Sequence, residues 1–122
     1  MNGEFDLFVY GTLRSTGTAA HRLRGSRLIG LGEVGGVLYD MDGDFPALVL
    51  YGNTPVQGEV WRCPFELLRA LDEYEGVDHG WFRRVAVEVQ MEDDSKRACW
   101  TYVAGPKLSR KLTPARRIDV WT

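Results

Sequence analysis

Metal-binding side chains are scarce in this sequence: two cysteines and two histidines among 122 residues. Cys63 and Cys99 stand in separate apolar segments without C-x-x-C spacing, and read as buried, reduced thiols rather than a disulfide or ligand pair. His21 and His79 lie far apart with no ligand-spaced neighbours, so no structural metal site is expected. An excess of one charge is lacking too. The formal net charge of -2 at pH 7 gives no electrostatic argument for binding nucleic acid or an anionic membrane. No apolar run approaches the ~20 residues that a membrane helix needs. Met1-Asn2-Gly3-Glu4 is not basic, and Phe5 to Tyr10 is too short for the apolar region of a secretory leader, so a cytoplasmic location is expected. Repeats, low-complexity tracts and interdomain linkers are all missing, and the length suits one domain spanning residues 1–122.

Glycine, by contrast, is plentiful: 14 residues, many of them between short apolar runs, which predicts many turns and many short strands. Asp6 to Tyr10 reads as a buried strand stopped by Gly11, and Ser15 to Arg24 as a loop or short helix. Arg27 to Met41 is one bent strand, or two with a bulge at Gly35-Gly36. A turn at Asp42-Gly43 precedes a strand from about Ala47 to Tyr51. Further on, VQGEVWRC puts Val56 and Val60 on one side and Gln57, Glu59 and Trp61 on the other. Pro64 suits a first helical turn, and the helix PFELLRALDEYEG should stop at Gly76. Then WFRRVAVEVQM alternates as a strand, Glu92 to Arg97 makes a hairpin connection, and ACWTYVAG returns. The tail from Lys107 to Thr122 is basic and reads as solvated. Five to seven short strands with one main helix predict an α+β fold around a mostly antiparallel, curved or closed sheet.

The helix contains a carboxylate on an unexpected face. With ~100° of rotation per residue and Leu67 at zero, Leu71 falls near ~40°, Leu68 near ~100° and Tyr74 near ~340°. Glu66 and Glu73 point to the solvent side, near ~260° and ~240°, but Glu75 lands near ~80°, inside the apolar stripe. If the helix persists to Gly76, burial should raise the pKa of Glu75 and fit it for proton transfer. A frayed last turn, or pairing with Arg83 or Arg84, would make it an ordinary surface group. Glu33 and Glu59 are read as structural salt-bridge partners for Arg62 or Arg84. Ser15, Thr12 and His21 lack the context of a nucleophile and its base, and Gly11 with Gly17 makes no phosphate loop.

Three segments in order, FVYGTLR at Phe8 to Arg14, GEVW at Gly58 to Trp61 and LDEYEG at Leu71 to Gly76, resemble the γ-glutamylcyclotransferase-like superfamily. The likeness is strongest to its small branch, related to plant avirulence-induced proteins and to γ-glutamylamine cyclotransferase. The intervening DFPAL, WFRRVAVEV and ACWTYV fit the same order, so the resemblance covers nearly the entire chain. It implies a small mixed, mostly antiparallel β-barrel with one main helix and short peripheral helices. It also implies conversion of a γ-glutamyl amide to 5-oxoproline and a free amine, without metal or organic cofactor. By position, Glu75 would be the catalytic general acid/base, and Tyr10, Gly11, Thr12 and Leu13 would hold the γ-glutamyl group. Phe45, Trp81, Phe82 and Tyr102 are candidate pocket walls. The expected partner is a small γ-glutamyl amide or amino-acid derivative rather than nucleic acid or membrane. Two other readings stand beside this one: a non-catalytic binding module, and a γ-glutamyl transferase or hydrolase.

Overall fold

A computed structural model describes residues 3–121; residues 1, 2 and 122 of the expected domain lie outside the described residues. Among them, five strands close a barrel. These are β1 (Glu4–Val9), β2 (Arg27–Gly35), β5 (Pro55–Pro64), β6 (Phe82–Met91) and β7 (Lys96–Ala104), in the order β1-β5-β2-β6-β7. Every neighbouring pair is antiparallel except the closing one, where Leu7 of β1 pairs in parallel with Trp100 of β7. Alternation supplies the lining: Phe8, Val60, Val89 and Thr101 are fully buried.

A second sheet lies beside the barrel, made of β3 (Val37–Met41), β4 (Phe45–Val49) and β8 (Arg117–Ile118), in the order β4-β3-β8. The stretch expected as one or two strands is therefore two. Its break at Gly36 moves the chain from the barrel to the small sheet, and the irregularity in register lies earlier, between Leu28 and Gly30. Part of the tail is not solvated as expected. Arg117 and Ile118 pair with Tyr39 and Leu38, because β3 would otherwise leave an open edge.

After β5 the chain makes a 3-10 turn at Phe65–Leu67 and then α1 (Leu68–Tyr74). Glu75 is its C-cap, still right-handed helical, with its N–H bonded to Leu71 O at 2.9 Å. Gly76 follows at φ 65, the left-handed conformation that ends a helix and that glycine adopts without a Cβ penalty. Leu71 is buried as the helical wheel predicts, but Tyr74 is exposed despite its apolar angle. The hydroxyl accounts for this: it bonds Thr12 Oγ1 at 2.8 Å, while the Arg22 guanidinium covers the ring at 4.1 Å. One further turn of helix, α2 (Pro106–Ser109), buries Leu108. Cys63 and Cys99 are both free and buried, and burial pushes the Cys99 thiol up to about 12.

Candidate active site

One cavity of about 510 Å³ opens where the end of β1, the end of α1, the start of β6 and the small sheet meet. Tyr10, Gly11, Thr12 and Leu13 line one side of it and Glu75 and Gly76 another. Phe45, Trp81, Phe82 and Tyr102 contribute to its walls. The residues singled out in the sequence are thus brought to a single place.

The loop after β1 is shaped by close packing. Gly11 fits under Pro46, whose Cγ and Cδ would stand 2.7 Å from any Cβ there. The Arg14 N–H closes a turn onto Gly11 O at 3.0 Å, and the Ala19 N–H reaches Thr12 O at 2.8 Å. The amides of Gly11, Thr12 and Leu13 have no such acceptor among the described residues, although Gly11 and Leu13 are buried. Buried amides are nearly always bonded, so consecutive ones lining a cavity form a ready cradle for an anionic oxygen.

Glu75 faces this loop from the end of α1. Burial raises its carboxyl from 4.5 to about 8, opposed only in part by the positive charge of Arg22. Arg83 and Arg84 do not neutralise it. Arg84 binds Asp72 in a two-point pair, Nε to Oδ1 at 2.9 Å and Nη2 to Oδ2 at 3.3 Å, and its guanidinium lies over the Trp100 ring. The Tyr102 hydroxyl also donates to Asp72, at 2.7 Å. Asp72 therefore ties α1 to β6 and β7, and the carboxylate one turn further along the helix inherits that placement.

Two tyrosines in the wall have no hydroxyl to spare. The Tyr10 hydroxyl donates to Tyr102 O at 2.5 Å and accepts from the Leu48 N–H at 3.3 Å, joining β1 to β7 and β4. Burial, then the Glu75 charge, pushes its pKa far up. Burial and the bond to Asp72 do the same for Tyr102. These residues give the cavity a wall rather than free donors. Met41, Leu108, Lys111, Asp42 and Asp44 also line it. Nothing in their local sequence marks them, because they come from the small sheet and the tail.

The salt bridges expected of Glu33 and Glu59 do not form. Arg62 pairs with Asp6 at 2.9 Å and Arg84 with Asp72. Burial would raise the Asp6 carboxyl, but its bonds to Arg62 and Arg97 outweigh that and hold it low. Glu33 accepts from the Gln57 amide, while Glu59 accepts from Ser15 and Trp61. Ser15 thus commits its hydroxyl to Glu59 rather than to a histidine. Among the described residues, no cluster of His, Cys, Asp and Glu could hold a metal, and no helix is long and apolar enough to cross a membrane.

Comparison with known proteins adds a family. The sequence model described as "Gamma-glutamyl cyclotransferase, AIG2-like" matches residues 7–121. Among solved structures the chain is similar to an AIG2-like protein from Mus musculus, with TM-score 0.75 and 20% identity over 98% of this chain and 88% of that one. It is also similar to a protein described as γ-glutamyl cyclotransferase, with TM-score 0.71 and 20% identity over 84% of this chain and 67% of that one. An uncharacterized protein from Pyrococcus horikoshii aligns with TM-score 0.69 and 23% identity, covering 94% and 86%. At these identities the likeness establishes the fold. No curated protein matches the sequence.

Proposed function

Because this chain belongs to the AIG2-like γ-glutamyl cyclotransferase family, we propose that it converts a γ-glutamyl amide to 5-oxoproline and a free amine. The observation that carries the reading is the half-buried Glu75 carboxyl, raised to about 8, facing the unbonded amides of Gly11, Thr12 and Leu13 across one cavity.

The chemistry needs two things. The γ-glutamyl chain must be folded so that its own α-amine meets its γ-carbonyl, and protons must move between the two nitrogens. In this reading the loop amides bind the α-carboxylate, which holds the chain curled; correct positioning of an intramolecular pair supplies much of the rate. The α-nitrogen attacks the γ-carbon, forming the ring C–N bond, and its proton passes to the Glu75 carboxylate. That proton then goes to the departing nitrogen as the original amide C–N bond breaks, so no proton is gained or lost overall. A carboxyl near 8 is matched to an α-amine, itself near ~8, so transfer in either direction is nearly level in energy. Phe45, Phe82, Tyr10 and Tyr102 would keep water from the reacting carbonyl, and no metal or cofactor enters any step.

We also take residues 1–122 as one domain. Support comes from strands drawn from both ends of the chain, β1 beside β7 and β8 beside β3, so that no cut between β1 and β8 leaves both sheets whole. The test is a panel of γ-glutamyl amides assayed by mass spectrometry. Wild type should release 5-oxoproline from at least one, and Glu75→Gln should lose about 10³-fold or more while staying folded, with a melting temperature no lower than that of wild type. Full turnover by Glu75→Gln would refute the assignment. Glutamate or a new γ-glutamyl amide as product would make the protein a hydrolase or transferase instead.

A further inference from the structure

Glu59 lies on β5 with only 8% of its surface exposed, between Val9 of β1 and Leu31 of β2. A carboxylate so placed ordinarily meets a cation. Among the described residues this one meets none: it accepts from the Ser15 N–H at 2.7 Å, the Ser15 hydroxyl at 2.6 Å and the Trp61 indole N–H at 3.0 Å. Ser15 is the residue at which the cavity loop leaves its turn. The Arg14 side chain holds the other end, with Nε on Gly11 O at 3.2 Å.

We propose that Glu59 is a positioning residue, fastening the Gly11–Ser15 loop to the barrel wall so that the Gly11, Thr12 and Leu13 amides meet the substrate in one fixed arrangement. This rests on the reading that the loop holds the γ-glutamyl group. Glu59 takes the Ser15 amide for itself and leaves the three before it available, which divides the loop into an anchored end and a binding row. If the row grips a carboxylate that is present in ground and transition state alike, losing the anchor weakens both equally. The loss should then appear in KM rather than kcat.

The experiment compares Glu59→Ala, Glu59→Gln and Ser15→Ala by initial rates and by hydrogen exchange of residues 11–15. Glu59→Ala should raise KM about tenfold or more with kcat within about threefold, since it loses several hydrogen bonds of ~1 kcal/mol each. Exchange of the loop should quicken while Leu7 and Phe8 of β1 stay protected. Glu59→Gln should restore both readouts, because its carbonyl can take the two N–H donors and its amide can bond the Ser15 hydroxyl. Should Glu59→Ala fail to fold, Ser15→Ala decides, with KM rising about threefold for one lost bond. Unchanged KM and unchanged loop exchange in the deciding variant overturn the proposal. So does a fall in kcat alone, which reports lost folded protein, or a glutamine variant that behaves like alanine. If wild type turns over no γ-glutamyl amide, the functional reading fails, and the exchange arm still decides whether Glu59 fastens the loop.

Discussion

Glu75 keeps its proton in most molecules at pH 7, because the cavity offers its charge little water and only the distant help of Arg22. This has a cost for the fold whose sign is definite. The folded carboxyl titrates near 8 and the unfolded one near 4.5, so between those values the folded chain holds a proton that the unfolded chain has released. Stability contributed at this position is therefore intact below about 4.5 and declines as the pH climbs to about 8. Glu75→Gln should be as stable as wild type at pH 4.5 and more stable at pH 9, by at most roughly 5 kcal/mol. Urea denaturation at both pH values checks this; parallel stability curves would count against a buried carboxyl. The residue was legible in the sequence because helical rotation alone puts it among leucines. Glu59 was not. Strand alternation turns it away from Val56 and Val60, and it is buried only because a loop from 44 positions earlier folds over it.

At the level of elements, α1 works through its last turn. Its only fully buried side chain is Leu71, so the helix is held less by its apolar face than by Asp72 gripping Arg84 and Tyr102. Asp72→Ala should cost about 1–3 kcal/mol, because it strands a half-buried guanidinium and a buried phenol. It should also lower kcat by about tenfold with a smaller effect on KM, since misplacing Glu75 harms proton transfer more than substrate holding. Chemical denaturation and initial rates measure the two effects, and an unchanged kcat would show that α1 keeps its place without Asp72. The helix and its glycine stop were readable in the sequence. The Asp72–Arg84–Tyr102 contact was not, because it joins residues on three elements whose alignment only barrel closure establishes. Similarly, alternation located β6, whereas β8 has just two residues and exists because β3 needs an edge partner.

For the molecule as a whole, the small sheet matters because it roofs the cavity with Phe45 and Pro46 while depending on the tail. Ile118 packs on the same cluster as Leu38, and the Arg14 guanidinium donates to Trp121 O at 3.1 Å. Deleting residues 113–122 should remove roughly 1–2 kcal/mol of stability and speed amide exchange in β3 and in the cavity loop, leaving β6 and β7 protected. Exchange mass spectrometry reads this directly; uniform loosening would mean that the barrel itself leans on the tail. The parallel pairing of Leu7 with Trp100 joins residues separated by most of the chain, and the antiparallel hairpin of β6 and β7 can form without it. Such distant pairings are slow to nucleate, so β1 should dock late in folding. A chain emerging from the ribosome would then hold the loop amides and Glu75 apart until β7 has been made. Activity, rather than compactness, would be the last property this protein acquires.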